Sequence, residues 1–224
     1  MAERSNEKRV VLRGQTPGTY ATARPGRREG TGGPTIYLLS PANSSGRRGQ
    51  ILLNPKADFE LARRLRTTGI TLGEAFSFMS ALYFRGKLEY AKTLCCVSNR
   101  MPGTLVITSS RGLLRPETMV QLEDLEEISA ERILPDNPKY RDPLERDLRV
   151  LSDTMGAAGQ AVLLGSIATR KYTPLLLETL GERVFVPRKF IGLGNMGRGA
   201  LLLRCARERR ELEYVPMVQA VEAK

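Results

Sequence analysis

The sequence predicts an α/β fold: one three-layer sandwich domain on a largely parallel central sheet, covering residues 34–224, preceded by a flexible basic arm over 1–33. Three observations predict it. Short apolar runs alternate with longer amphipathic stretches. Several of those stretches open on helix-start signals. The composition, 41% hydrophobic and 26% charged over 224 residues, is that of an ordinary globular chain.

Residues 1–33 combine Gly14, Gly18, Gly26, Gly30, Gly32 and Gly33 with Pro17, Pro25 and several arginines. Such a segment buries too little apolar surface to offset the entropy of ordering, although Val10–Leu12 could form an edge strand. Thr35–Leu39 reads as a buried strand, followed by a polar loop, Ser40–Gly49. Asn54 and Pro55 form a cap and first-turn pair for a helix with Phe59, Ala62 and Leu65 on one face. Thr71 and Glu74 make a capping box for a helix carrying Phe76, Met79, Tyr83 and Leu88, which Gly86 would bend or interrupt. Thr104–Thr108 is the next strand. Asp142, Pro143 and Glu145 repeat the start chemistry for a helix to about Met155. Ala161–Leu164 is a strand, Thr173 and Pro174 open a helix that Gly181 ends, and Arg183–Val186 is a strand. A helix over Gly197–Arg210 and a strand over Glu211–Pro216 complete the pattern.

Absences narrow the chemistry. There is no histidine, which removes the commonest general base and every imidazole triad. Cys95, Cys96 and Cys205 lack metal-ligand spacing, so neither a zinc site nor any cofactor is expected. No apolar run approaches the ~18 residues of a membrane helix, which leaves a cytoplasmic location as the expectation. The net charge of +11 is unevenly spread. Residues 47–100 hold ten basic against four acidic side chains, and 170–210 hold ten against three. Residues 117–153 reverse this, with five against eleven. A cationic face of this kind attracts phosphate, and a solubilising surface is the alternative.

Three polar loops, each following a strand, are the candidate anion sites. The first contains Ser40, Asn43, Arg47 and Arg48, suited to a nest with two guanidinium clamps. The second contains Ser166, Thr169 and Lys171, with Tyr172 as a stacking ring. The third contains Gly192, Gly194, Asn195 and Arg198, whose glycines precede a helix and expose backbone N–H groups to an anion. Its string Gly192–Gly197 fits G-x-G-x-x-G and resembles the dinucleotide fingerprint of hydroxyacid dehydrogenases. That site is rejected, because only 27 residues follow Gly197 and no acidic residue falls at the end of a second strand. Each loop has a plainer alternative as a turn or solvated connection. If the strands are parallel, all three converge on one sheet edge.

The stretch Leu82-Tyr83-Phe84-Arg85-Gly86-Lys87-Leu88, then Val106–Thr108, then Ser109-Ser110-Arg111-Gly112-Leu113-Leu114-Arg115-Pro116 carries a family resemblance. It is similar to a group of bacterial α/β domains that includes small domains found with DNA-modification genes, the peroxide-stress DNA-binding family and accessory domains of archaeosine-type tRNA modification. The resemblance covers residues 82–116 and implies a nucleic-acid-associated domain related in fold to uracil-DNA glycosylase. The catalytic histidine of such glycosylases has no counterpart here.

The expected function is therefore binding of DNA, RNA or a phosphorylated nucleotide through strand-end loops. One alternative is a small histidine-free enzyme of nucleotide or base chemistry that cleaves or exchanges an N-glycosidic bond, which requires a carboxylate near the 165–172 loop. Lys171 or Cys95 could serve as a nucleophile. Another alternative is an adaptor docking through the acidic 117–153 segment.

Overall fold

The computed structural model describes residues 33–95 and 102–222. The expected arm and its possible Val10–Leu12 strand lie outside the described residues, apart from Gly33.

A six-stranded sheet forms the middle layer. Its parallel centre comprises β1 (Thr35–Leu39), β3 (Thr104–Ile107), β6 (Gln160–Leu164) and β7 (Val184–Pro187). The antiparallel edges are β4 (Leu113–Leu114) and β8 (Tyr214–Pro216), in the order β4-β3-β1-β6-β7-β8. A separate antiparallel pair joins β2 (Ile70–Thr71) to β5 (Met119–Val120). Strand β1 is buried along its whole length, as expected for a central parallel strand.

Alternation along the strands divides the core into two faces. Tyr37, Leu39, Val162 and Leu164 point to one side, where they meet α1 (Arg47–Leu53), α2 (Glu60–Thr67), α3 (Leu72–Leu94) and α7 (Asn195–Arg207). α4 (Leu122–Ala130) also contributes Leu125 and Ile128 there. Ile36, Leu38, Ala161 and Leu163 point to the other side, against α5 (Pro138–Met155), α6 (Thr173–Leu180) and α8 (Met217–Glu222). The expected three-layer α/β sandwich is the fold.

The capping box forms as read. Thr71 Oγ accepts from the Glu74 N–H at 3.1 Å, and a Glu74 carboxylate oxygen accepts from the Thr71 N–H at 2.8 Å. Gly181 closes α6 at φ +59°, a conformation that suits glycine. Two helix starts differ from the sequence reading. Asn54 ends α1 and accepts from the Lys56 N–H in a turn, and α2 begins only at Glu60. Helix α5 begins at Asn137-Pro138, a cap-and-proline pair earlier than Asp142-Pro143, so Pro143 lies inside the helix. The earlier start lets Tyr140 bury with Leu144 and Leu148 on one stripe.

Gly86 does not bend α3. The break falls at Ser80 and Ala81, where Ala81 adopts φ 29° and ψ −97°. Gly86 instead admits α7: a Cβ there would lie 2.7 Å from the Gly199 carbonyl oxygen, and a Cβ on Gly199 would lie 2.9 Å from that of Leu82. The two helices meet backbone to backbone, which sets the half of α3 beyond the break against the first turns of α7.

Candidate anion site at the sheet switch point

The chain leaves β1 for β3 on one side and later returns to β6 on the other, so the sheet changes direction between β1 and β6. Their carboxyl ends are registered, Leu39 beside Leu164. The loops that follow them open at the position where α/β sheets bind ligands. The connection from β7 to α7 leaves the same edge, so all three candidate loops start from one rim.

Ser40 follows β1 directly and is 5% exposed. Its carbonyl oxygen accepts from Lys87 Nζ at 2.5 Å, and its hydroxyl lies 3.0 Å from the same nitrogen. Lys87 falls on the buried stripe of α3, four residues after Tyr83 and four before Ala91, and is 1% exposed. Its ammonium sits 4.5 Å from the centre of the Tyr83 ring and 4.9 Å from that of Phe84. Burial, with a smaller contribution from the nearby Arg198 charge, pulls its pKa down to about 7.

Arg198 is the second buried cation, 8% exposed. The sequence suggested a cation presented at the α7 N-terminus. Instead the side chain turns inward, donating Nε and Nη2 to the Phe190 carbonyl at 3.2 and 2.8 Å. There its charge acts on Tyr83 and Lys87 of the neighbouring α3. The buried Tyr83 hydroxyl has no well-formed hydrogen bond. Burial raises its pKa, opposed by Arg198. Tyr172, at the end of the loop after β6, is pushed up to about 12 by burial and by Tyr83. Ser40, Tyr83, Lys87, Tyr172 and Arg198 therefore form one neighbourhood drawn from four segments. Among the described residues, neither Lys87 nor Arg198 is ion-paired to a carboxylate.

The remaining predicted residues lie around this centre. Asn43 is exposed and shapes its own loop, accepting from the Ser45 N–H and hydroxyl at 3.2 and 2.7 Å. Arg47 and Arg48 are exposed at the start of α1, not in a loop, and Arg48 stacks 4.7 Å over the Phe78 ring. Ser166 accepts from the Ala168 N–H, a local turn. Thr169 and Lys171 are exposed, and the Lys171 carbonyl accepts from Tyr140 Oη at 3.0 Å. Gly192, Gly194 and Asn195 are exposed at the α7 N-terminus. Tyr83 and Lys87 were absent from the sequence-derived site. The signal that could have found them is a lysine on an apolar i, i+4 stripe.

The acidic segment becomes α4, α5 and their connection. Several of its carboxylates meet local cations: Arg111 pairs with Asp124 and Glu127, Lys139 with Glu131, Arg141 and Arg149 with Glu145, and Arg146 with Asp147. Among the described residues no carboxylate is hydrogen-bonded or ion-paired to the 165–172 loop, the feature that N-glycosidic chemistry called for. No described helix is long and apolar enough to cross a membrane. The chain matches no protein-family model, no curated protein and no solved structure, so its switch-point site stands on its own geometry.

Proposed function

We propose that the chain binds a phosphate-bearing ligand, a nucleic acid or a phosphorylated nucleotide, at the crevice beyond β1 and β6. The observation that carries this reading is the pair of buried cations, Lys87 and Arg198, that meet no carboxylate among the described residues. Buried charge is costly unless it is paired, and two like charges close together raise the cost. An anion is the partner that relieves both. Arg47 and Arg48 at the α1 start and Arg170 and Lys171 in the loop after β6 are exposed, without ion pairs among the described residues, and would add phosphate contacts.

The test is titration of a labelled single-stranded oligonucleotide, and separately of inorganic phosphate, at rising salt. The expected result is affinity that falls steeply with ionic strength for the oligonucleotide and at least tenfold in Arg198→Met for both. Affinity independent of salt, or unchanged in Arg198→Met, would overturn the reading.

A further inference from the structure

Lys87 does more than face an anion. Its nitrogen touches both the carbonyl and the hydroxyl of one residue, Ser40, at the carboxyl end of a central strand. The only other contact of that hydroxyl among the described residues is a long one, 3.4 Å to the Leu164 carbonyl oxygen. The aromatic rings of Tyr83 and Phe84 exclude water from the amine. The titratable groups around it are Arg198 from α7, Tyr83 from α3 itself and, through Tyr83, Tyr172 from the loop after β6. None of these is a carboxylate that would hold a proton on the nitrogen.

An uncharged amine has two N–H groups and one lone pair. At Lys87 one N–H can go to the Ser40 carbonyl, leaving the lone pair to accept the Ser40 hydroxyl proton. Close to this arrangement the helix is broken: Ala81, at positive φ, lies two residues before Tyr83 and six before Lys87. Backbone strain in a non-glycine residue persists where surrounding structure holds it, and it clusters at functional sites.

We propose that Ser40 and Lys87 are a nucleophile and general base that take an acyl group from an ester whose phosphate the neighbouring cations hold. The choice of a phosphate-bearing ester rests on the anion-binding reading above, and the pair itself does not. An acyl carbon fits better than phosphorus as the reacting centre. A phosphoryl dianion against Lys87 would restore its proton and remove the base, whereas an uncharged carbonyl leaves it free. The lowered pKa of Lys87, about 7, suits that role near neutral pH.

In the first step Ser40 Oγ bonds to the carbonyl carbon and its proton passes to Lys87 Nζ. The tetrahedral intermediate collapses, the bond from carbon to the leaving oxygen breaks, and the Lys87 ammonium protonates that oxygen. Water then attacks the acyl carbon while Lys87 takes its proton. The bond to Oγ breaks, and Ser40 recovers the proton. Water is the sole co-reactant, and nothing is oxidised or reduced.

The test uses the full chain with two uncharged probes, a fluorophosphonate and p-nitrophenyl acetate, read by intact mass and peptide mapping between pH 6 and 9. The expected result is one adduct per chain, on Ser40, forming at a rate that rises through about pH 7. Lys87→Arg, which keeps the cation and loses the base, should slow labelling at least tenfold, and Ser40→Ala should abolish it. If these variants do not fold, the pH profile of the unaltered chain decides. Labelling elsewhere, no labelling, or a rate flat with pH overturns the pair. Phosphate binding measured on the same sample separates the two proposals: binding without labelling sinks only the dyad, and labelling without binding keeps the dyad but sinks the anion reading and, with it, the phosphate-bearing ester.

Discussion

The loop after β3 and the loops beyond β1 and β6 leave the same rim of the sheet and draw on similar residues, hydroxyls, glycine and arginine. Their electrostatics are opposite. After β3, Thr108 Oγ donates to the Gly112 carbonyl and accepts from the Arg111 N–H, and Ser109 donates to Ile128. Arg111 is met by Asp124 at 2.8 Å and by Glu127, which together hold its pKa up. The hydroxyls of Thr108 and Ser109 are buried and bonded, and the Arg111 charge is neutralised. Beyond β1 and β6, Lys87 and Arg198 lie deeper than Arg111 and yet face carbonyls and rings. Loop composition alone therefore does not mark an anion site. What marks it is whether the fold brings a carboxylate within reach.

The largest expected difference is in the pH dependence of stability. Between about 7 and 10.5 the unfolded chain keeps a Lys87 proton that the folded chain has lost, so stability rises with pH. The slope from one such group is at most ~1.4 kcal/mol per pH unit. Urea midpoints at pH 7, 8 and 9 should climb in the unaltered chain relative to Lys87→Met, and parallel curves would break the contrast. The β3 loop should respond only in acid. Arg111 lowers the Glu127 pKa below its ordinary value, so that stabilisation is present above about 4.5 and is lost as pH falls further.

Next in size is Gly199→Ala. Its methyl would press on the Leu82 carbonyl and push α3 from α7, at a cost of about 2 kcal/mol by thermal or urea unfolding. A cost near zero would mean that the helices are not in backbone contact. Third, Arg198→Met should weaken phosphate binding at least tenfold, about 1.4 kcal/mol, whereas Arg111→Met should leave it unchanged. Equal losses in calorimetric titration would erase the distinction between the two regions. Smallest is the stability cost of Arg111→Met, about 1 kcal/mol, because the pair is partly solvated.

The fold was largely legible because strands β1, β3 and β6 are continuous apolar runs and the Thr71–Glu74 box is a local signal. Asn54-Pro55 and Asp142-Pro143 misled because the same cap chemistry also makes turns and tolerates an early proline. The site was half legible. Ser40 and Arg198 stand beside strand ends and a glycine loop, where residue type and position coincide. Lys87 was hidden because its contact with Ser40 spans 47 residues, and no local pattern encodes which strand end a distant helix will meet. Nothing in the sequence marks the break at Ser80 and Ala81.

The margins of the sheet also constrain how a partner can attach. Strand β4 has two residues, and the Leu113 N–H is already taken by Asp147 at 2.9 Å. At the opposite margin β8 has three residues and ends in Pro216, which has no N–H to offer. Among the described residues, neither border of this sheet provides a run of open backbone groups on which another chain could be zipped as an added strand. A partner that attaches at these two borders must be recognised by side chains and loops, and the borders themselves give copies of the molecule little means of propagating edge to edge into fibres.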